Sequence, residues 1–189
     1  MRGVDFNTLL NETDHNYDEV NMFQENEHVV YGRMGVCLVE GIEHDAEQDY
    51  YCLRSLDQNC WIKTPVNGTV PIRKVMSREE AQALIDRIPS IPEETLKGLS
   101  TRDLYEQCKA LVSSQNGEKL IALTMALYSK KRKAQRNKKK LSSTEDAFLK
   151  EGEGLLFSEL AVALGIPYSE VQGYIRKRVQ AQKQLDFEE

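Results

Sequence analysis

Between His28 and Val75 apolar residues recur with a period of two, and turn-forming residues break the pattern at short intervals. That combination restricts this stretch to short β-strands, because a helix would need apolar residues three or four apart. Val29 and Tyr31, then Val36, Leu38 and Ile42, mark one half-buried face. Gly32 and Gly35 bracket a turn or bulge, where a backbone without Cβ is useful. Asp45 to Asp49 reads as a polar hairpin loop, Tyr50-Tyr51-Cys52-Leu53 as the next strand and Asp57-Gln58-Asn59 as a turn. Trp61 to Thr64 is a further strand, stopped by Pro65; Asn67-Gly68 is a strong turn signal, and Pro71 to Val75 closes the set. Short strands at such spacing predict a small barrel or curled sheet.

The period then changes. Ser77 is placed as an N-cap with Glu79 and Glu80 in the first turn, opening a helix over 78–88 whose Ala81, Leu84, Ile85 and Ile88 share a face. Pro89-Ser90-Ile91-Pro92 stops it and marks a domain boundary. Beyond it the pattern is helical. Ser100 or Thr101 caps a helix carrying Leu104, Cys108 and Leu111, and Ser113 to Gly117 is a loop. A long helix with Leu120, Leu123 and Leu127 runs to about Lys139. Ser142 or Ser143 caps the next, through Phe148, Leu156 and Leu164, with Gly152 and Gly154 as weak points. Ser169 starts the last, through Val171, Ile175 and Val179. The expected class is α+β: a small β-barrel followed by an all-α domain, divided as 22–90 and 91–189. Residues 1–21 are polar and acidic without period, and are expected to be an extension with no role in the fold, ahead of a second methionine, Met22.

Charge is distributed unevenly. Residues 1–60 hold 3 basic and 13 acidic side chains, whereas 101–140 hold 11 and 3, so a net charge of −5 hides a positive block. The basic run is Lys130, Lys131, Arg132, Lys133, Arg136, Lys138, Lys139 and Lys140. A solvated helix end would tolerate some of these cations near its C-terminus. So many like charges repel at helical spacing, so phosphate binding is the favoured reading, with Arg102 and Lys109 extending the patch if their helix packs alongside. Such contacts give affinity rather than sequence reading.

Ala161, Gly165 and Val171 have the spacing of a helix-turn-helix over 158–178, but the second helix opens with Ser169-Glu170 and carries Arg176, Lys177 and Arg178 late, so an ordinary helical hairpin is favoured. Trp61, the single tryptophan, is either a core or barrel-edge aromatic or an exposed interface anchor. Pro65 suits an edge strand, which offers its backbone to a partner.

No catalytic constellation is present. Gly32 to Gly35 lacks the Lys-Ser/Thr of a phosphate loop, no nucleophile elbow occurs, and Glu79-Glu80 and Glu93-Glu94 suit helix starts. The expectation is a non-enzyme without cofactor or small-molecule substrate. Neither the four cysteines, none in a CxxC pair, nor the three histidines are spaced as zinc ligands. Cys37 and Cys52 lie in apolar strand patterns and are expected to be buried thiols of a reducing cytoplasm. The apolar runs fall short of the roughly 18 residues of a membrane span, and the N-terminus lacks the pattern of a secretory signal.

Val30-Tyr31-Gly32, Gly35-Val36-Cys37, Ile62 to Val66 and Ile72 to Ser77, with Ser158-Glu159-Leu160-Ala161 and Leu164-Gly165 further on, resemble the CarD-type transcription factors over most of residues 22–180. The N-terminal part is similar to the polymerase-interacting domain of transcription-repair coupling factor, a Tudor-like, SH3-like barrel. The resemblance implies binding to the β subunit of bacterial RNA polymerase through Trp61, Ile62, Lys63, Thr64 and Pro65, with Lys63 as the basic residue before the proline. It also implies that the helical domain contacts promoter DNA at the upstream edge of the melted region and stabilises the open complex. Family members carry a wedge tryptophan before the first basic helix of that domain; here the spot reads Gly98-Leu99-Ser100-Thr101-Arg102, with Leu99 the only large apolar residue. DNA contact then rests on Arg102, Lys109 and the block Lys130, Lys131, Arg132, Lys133 and Arg136, and is expected to be weak and salt-dependent. A monomeric, nucleoid-associated regulator is expected; the alternative is a stand-alone helix-turn-helix regulator.

Overall fold

A computed structural model describes residues 23–92 and 99–185. The extension expected over 1–21, Met22 and the Glu93-Glu94 pair lie outside the described residues. The chain is α+β: five strands precede five helices. The strands are β1 (His28–Tyr31), β2 (Val36–His44), β3 (Asp49–Ser55), β4 (Trp61–Pro65) and β5 (Ile72–Lys74). They form one antiparallel sheet in the order β4-β3-β2-β1-β5.

The sheet is strongly curled. The Tyr31 hydroxyl of β1 donates to Thr64 Oγ1 of β4 at 3.0 Å, although two strands lie between them. In a flat sheet three strand spacings would separate them by about 14 Å, beyond a tyrosine's reach. A bulge between Val39 and Gly41 in β2 supplies part of the bend. The concave side holds a compact core of Val29, Cys37, Val39, Tyr51 and Leu53. Burial pushes the Cys37 thiol up to about 12, which keeps it protonated and inert. Cys52, expected to be buried, lies instead on the convex side, where its thiol donates to Glu43 Oε1 at 3.3 Å, because strand alternation places it opposite to Tyr51 and Leu53.

The helices are α1 (Arg78–Asp86), α2 (Thr101–Ser113), α3 (Gly117–Arg136), α4 (Ser143–Leu164) and α5 (Tyr168–Leu185). Ser77, Ser100, Asn116 and Ser142 cap the first four, and Ser77 and Ser142 make capping boxes with Glu80 and Glu145. Helix α1 ends two residues before Ile88, which begins a short 3-10 turn with Pro89. Helix α3 stops three residues short of Lys139, where Lys138 takes φ +55°. Gly152 and Gly154 do not interrupt α4; at Gly152 a Cβ would sit 3.3 Å from Thr124, so the glycine lets α3 pack closely. On α2 the buried third position is Val112 rather than Leu111. The apolar face of α1 (Ala81, Leu84, Ile85) joins the helical core with Cys108, Leu127 and Leu160, not the sheet core.

The sheet and the helices meet along α4. Arg73 of β5 makes a paired contact with Glu159, at 2.5 and 2.8 Å. Ser158 Oγ donates to Asp57 Oδ1 at 2.7 Å, Arg33 Nε to Glu151 at 2.7 Å, and the Arg78 guanidinium to the Leu164 carbonyl. Burial raises the Asp57 carboxyl above its ordinary value, against the Ser158 hydrogen bond, which lowers it. A folded-state pKa above the unfolded one means that the contribution of Asp57 is fully present below the ordinary aspartate range. It is lost as pH rises through the raised value. Asp57→Asn keeps an oxygen for Ser158, so its stability relative to the parent should rise over that window and then level off. Paired urea titrations at acid and neutral pH check this; a difference independent of pH would refute it.

Candidate interaction surfaces

Strand β4 lies at an edge of the sheet, pairing with β3 alone among the described strands. Its backbone phase follows from two hydrogen bonds, Ser55 N–H to the Cys60 carbonyl and Val66 N–H to the Asp49 carbonyl, both 2.9 Å. Period two places the backbone groups of Ile62 and Thr64 toward β3 as well, leaving those of Trp61, Lys63 and Pro65 directed at the open edge. Pro65, expected to stop the strand, is its last residue; its missing N–H falls on the outward side, where no ladder bond is lost. The opposite edge is not open in the same way. Gln115, in the connection between α2 and α3, donates to the Pro71 carbonyl at 3.4 Å and accepts from Arg73 at 2.9 Å, capping the β5 end. Among the described residues, β4 is therefore the edge that lacks such a contact from the helical part.

Trp61 is 70% exposed and sits on the convex face of that edge. Lys63 and Pro65 share its side of β4, whereas Thr64 is buried and Ile62 half-buried against the core. Thr64 is thus held by Tyr31 and offers a partner no side chain. Lys63 is engaged with the Glu43 carboxylate and lies 4.7 Å above the Tyr50 ring. The Glu43 contact raises the lysine pKa and lowers that of the carboxyl. Arg54 Nε donates to Glu40 at 2.5 Å. Acidic and basic side chains are paired off around the tryptophan, so this surface combines an aromatic anchor, a free strand edge and balanced charge. Those features suit another protein chain.

The basic run divides in two. Lys130 pairs with the buried Glu145 and Lys131 lies 4.0 Å from Asp146, both in the first turn of α4. Burial acts against ionisation of Glu145, but the Lys130 and Ser142 hydrogen bonds outweigh it and leave the pKa lowered. Arg132, Lys133 and Arg136 are exposed and form no ion pair among the described residues, and Lys138, Lys139 and Lys140 continue the exposed cations into the connection to α4. Arg102 and Lys109 lie exposed on α2 with Tyr105 between them, whose ring meets Phe148 edge-on at 5.4 Å and remains 43% exposed. Leu99 precedes the Ser100 cap and is 38% exposed.

Helices α4 and α5 meet at 84° around Gly165, whose φ of +63° makes a left-handed cap. Of the late cations on α5, Arg178 is held by Asp86 at 2.5 and 2.7 Å, and that contact lowers the Asp86 pKa. Arg176 and Lys177 are exposed. Two residues not singled out in the sequence matter here, Tyr105 and Glu145, the latter in the first turn of α4. Glu159 stands in the sequence only within the stretch Ser158-Glu159-Leu160-Ala161, where nothing local marks its burial. No single helix among the described residues is long and apolar enough to cross a membrane.

Residues 23–76 match the family model of the CarD-like/TRCF RID domain. The match spans all five strands, including the open edge at β4, and identifies this part of the chain as a member of an RNA polymerase-interacting domain family. No curated protein matches the chain.

Proposed function

We propose that this chain, whose residues 23–76 belong to the CarD-like/TRCF RID family, is a bacterial transcription regulator rather than an enzyme. It docks on the β subunit of RNA polymerase through β4 and holds promoter DNA at the upstream edge of the bubble. Within this reading residues 22–90 are the Tudor-like polymerase-interacting part and 91–189 the DNA-binding part of a monomeric, nucleoid-associated protein. The observation that carries it is the family match over a sheet whose β4 edge bears an exposed tryptophan. Docking confines the basic end of α3 near the promoter, so modest intrinsic DNA affinity suffices. The open complex gains stability to the extent that these contacts favour it over the closed one.

The test is capture of purified RNA polymerase by the full-length protein. Trp61 touches little within its own chain, so Trp61→Ala should leave stability unchanged and weaken capture by about tenfold or more, as loss of an aromatic anchor does. Lys63→Glu sets a carboxylate against Glu43 at the same edge and should abolish capture. Absence of capture by the parent protein would sink the reading.

A second reading, a stand-alone helix-turn-helix regulator, draws support from the 84° meeting of α4 and α5. It requires site-specific DNA binding without polymerase, which Arg176→Gln with Lys177→Gln should then remove.

A further inference from the structure

Two carboxylates are buried among the described residues, Glu145 at 5% and Glu159 at 2% exposure. Both lie on α4. They are 14 positions apart in the sequence, close to four helical turns, which puts them roughly on one face and about 21 Å apart along the axis. Each ties a different part of the protein to the helix. Glu159 receives both nitrogens of the Arg73 fork and the Met76 N–H at 3.1 Å, with Ser158 beside it bound to Asp57. Glu145 holds Lys130, and its neighbour Asp146 faces Lys131. One end of α4 is bolted to the sheet and the other to the root of the basic run.

Buried ion pairs contribute little net stability, because desolvation offsets the attraction; their best-attested use is to specify one arrangement over others. We infer that α4 is a rigid strut, and that Glu159 with Arg73, and Glu145 with Lys130, are positioning residues that hold the open β4 edge and the exposed cations of α3 at a fixed separation. Resting on the polymerase and DNA reading above, this makes the contribution of DNA contact within the ternary complex depend on residues that touch neither partner. Without the bolt at Glu159 the seam rests on the Ser158–Asp57, Arg33–Glu151 and Arg78–Leu164 contacts alone, the two binding surfaces are less tightly fixed, and the high effective concentration of one relative to the other is diluted.

Glu159→Ala in the full-length protein tests this. Arg73 is 35% exposed in its side chain, so it can turn to water rather than remain stranded. Capture of polymerase and affinity for free duplex DNA should each stay within about twofold, while the lifetime of the polymerase–promoter open complex falls about tenfold or more. The apolar pair Arg73→Met with Glu159→Leu refills the seam without charge and should restore much of that lifetime. A direct ionic role for Arg73 with a partner would not be restored. Hydrogen exchange at the Leu56 amide gives a readout without partners: its acceptor, the Val36 carbonyl at 3.0 Å, is untouched by the substitution, and it adjoins Asp57 at the seam, so it should accelerate in Glu159→Ala. An unchanged open-complex lifetime, or an unchanged Leu56 exchange rate, would overturn the inference. If the parent protein captures no polymerase, the functional reading fails, and Leu56 exchange still decides whether Glu159 holds the seam.

Discussion

Replacing Arg132, Lys133 and Arg136 together with glutamine should lower the affinity of the full-length protein for duplex DNA about tenfold or more at moderate salt. It should also flatten the dependence of log K on log salt by about 2 to 3 units. All three are exposed at the end of α3 and free of ion pairs among the described residues, so each is available to displace one condensed counterion. Lys130→Gln is the informative contrast. Lys130 already neutralises Glu145, so its removal should barely alter the salt slope. It should instead cost about 1–2 kcal/mol of stability, because Glu145 is left buried with Ser142 as its remaining partner; the half-exposed lysine keeps this below the full figure for a buried pair. Binding isotherms at several salt concentrations, with denaturant titrations of both variants, separate the two outcomes. Equal slopes for the triple variant and the parent would remove the α3 end from the DNA-binding surface.

Gly35→Ala should destabilise the protein by about 3 kcal/mol, through backbone and packing costs of about 1–3 kcal/mol each. Gly35 has φ +73° and ψ −144°, a region that side chains avoid. A Cβ there would also stand 2.9 Å from Asp57 Oδ2 and 3.3 Å from Leu155 Cδ2. The second contact belongs to α4, so the substitution strains the turn between β1 and β2 and pushes on the seam together. The backbone around Gly35 has no slack: its carbonyl accepts the Tyr31 N–H at 3.0 Å. Thermal or urea unfolding measures the loss, and a change below about 1 kcal/mol would mean that the turn relaxes.

Much of the architecture was readable because it is local. Alternation marked the strands, and a hydroxyl ahead of a helical period gave the cap at Ser77 outright and narrowed two others to Ser100 or Thr101 and Ser142 or Ser143, of which the serines at 100 and 142 cap. The Gly32–Gly35 turn was found for the same reason, since positive φ is a property of the residue itself. Element ends were less legible. Pro65 fits inside β4 only because its nitrogen faces the open edge, which depends on strand phase rather than on proline alone. The exposure of Trp61 was undecided between core and surface, because alternation does not say which face of a strand the protein covers.

The division of the basic run was hidden for a different reason. Lys130 and Arg132 are indistinguishable as neighbours in sequence; their difference lies in Glu145, brought back by the turn between α3 and α4. The bolt between Arg73 and Glu159 joins residues 86 positions apart. Composition and period reflect interactions within a few residues, and those established the strands, the helices, their caps and the site of the positive block. Which edge stays open, which cations stay free and which carboxylates are buried depend on long-range packing against α4, where desolvation and charge pairing act between segments that the chain order keeps apart.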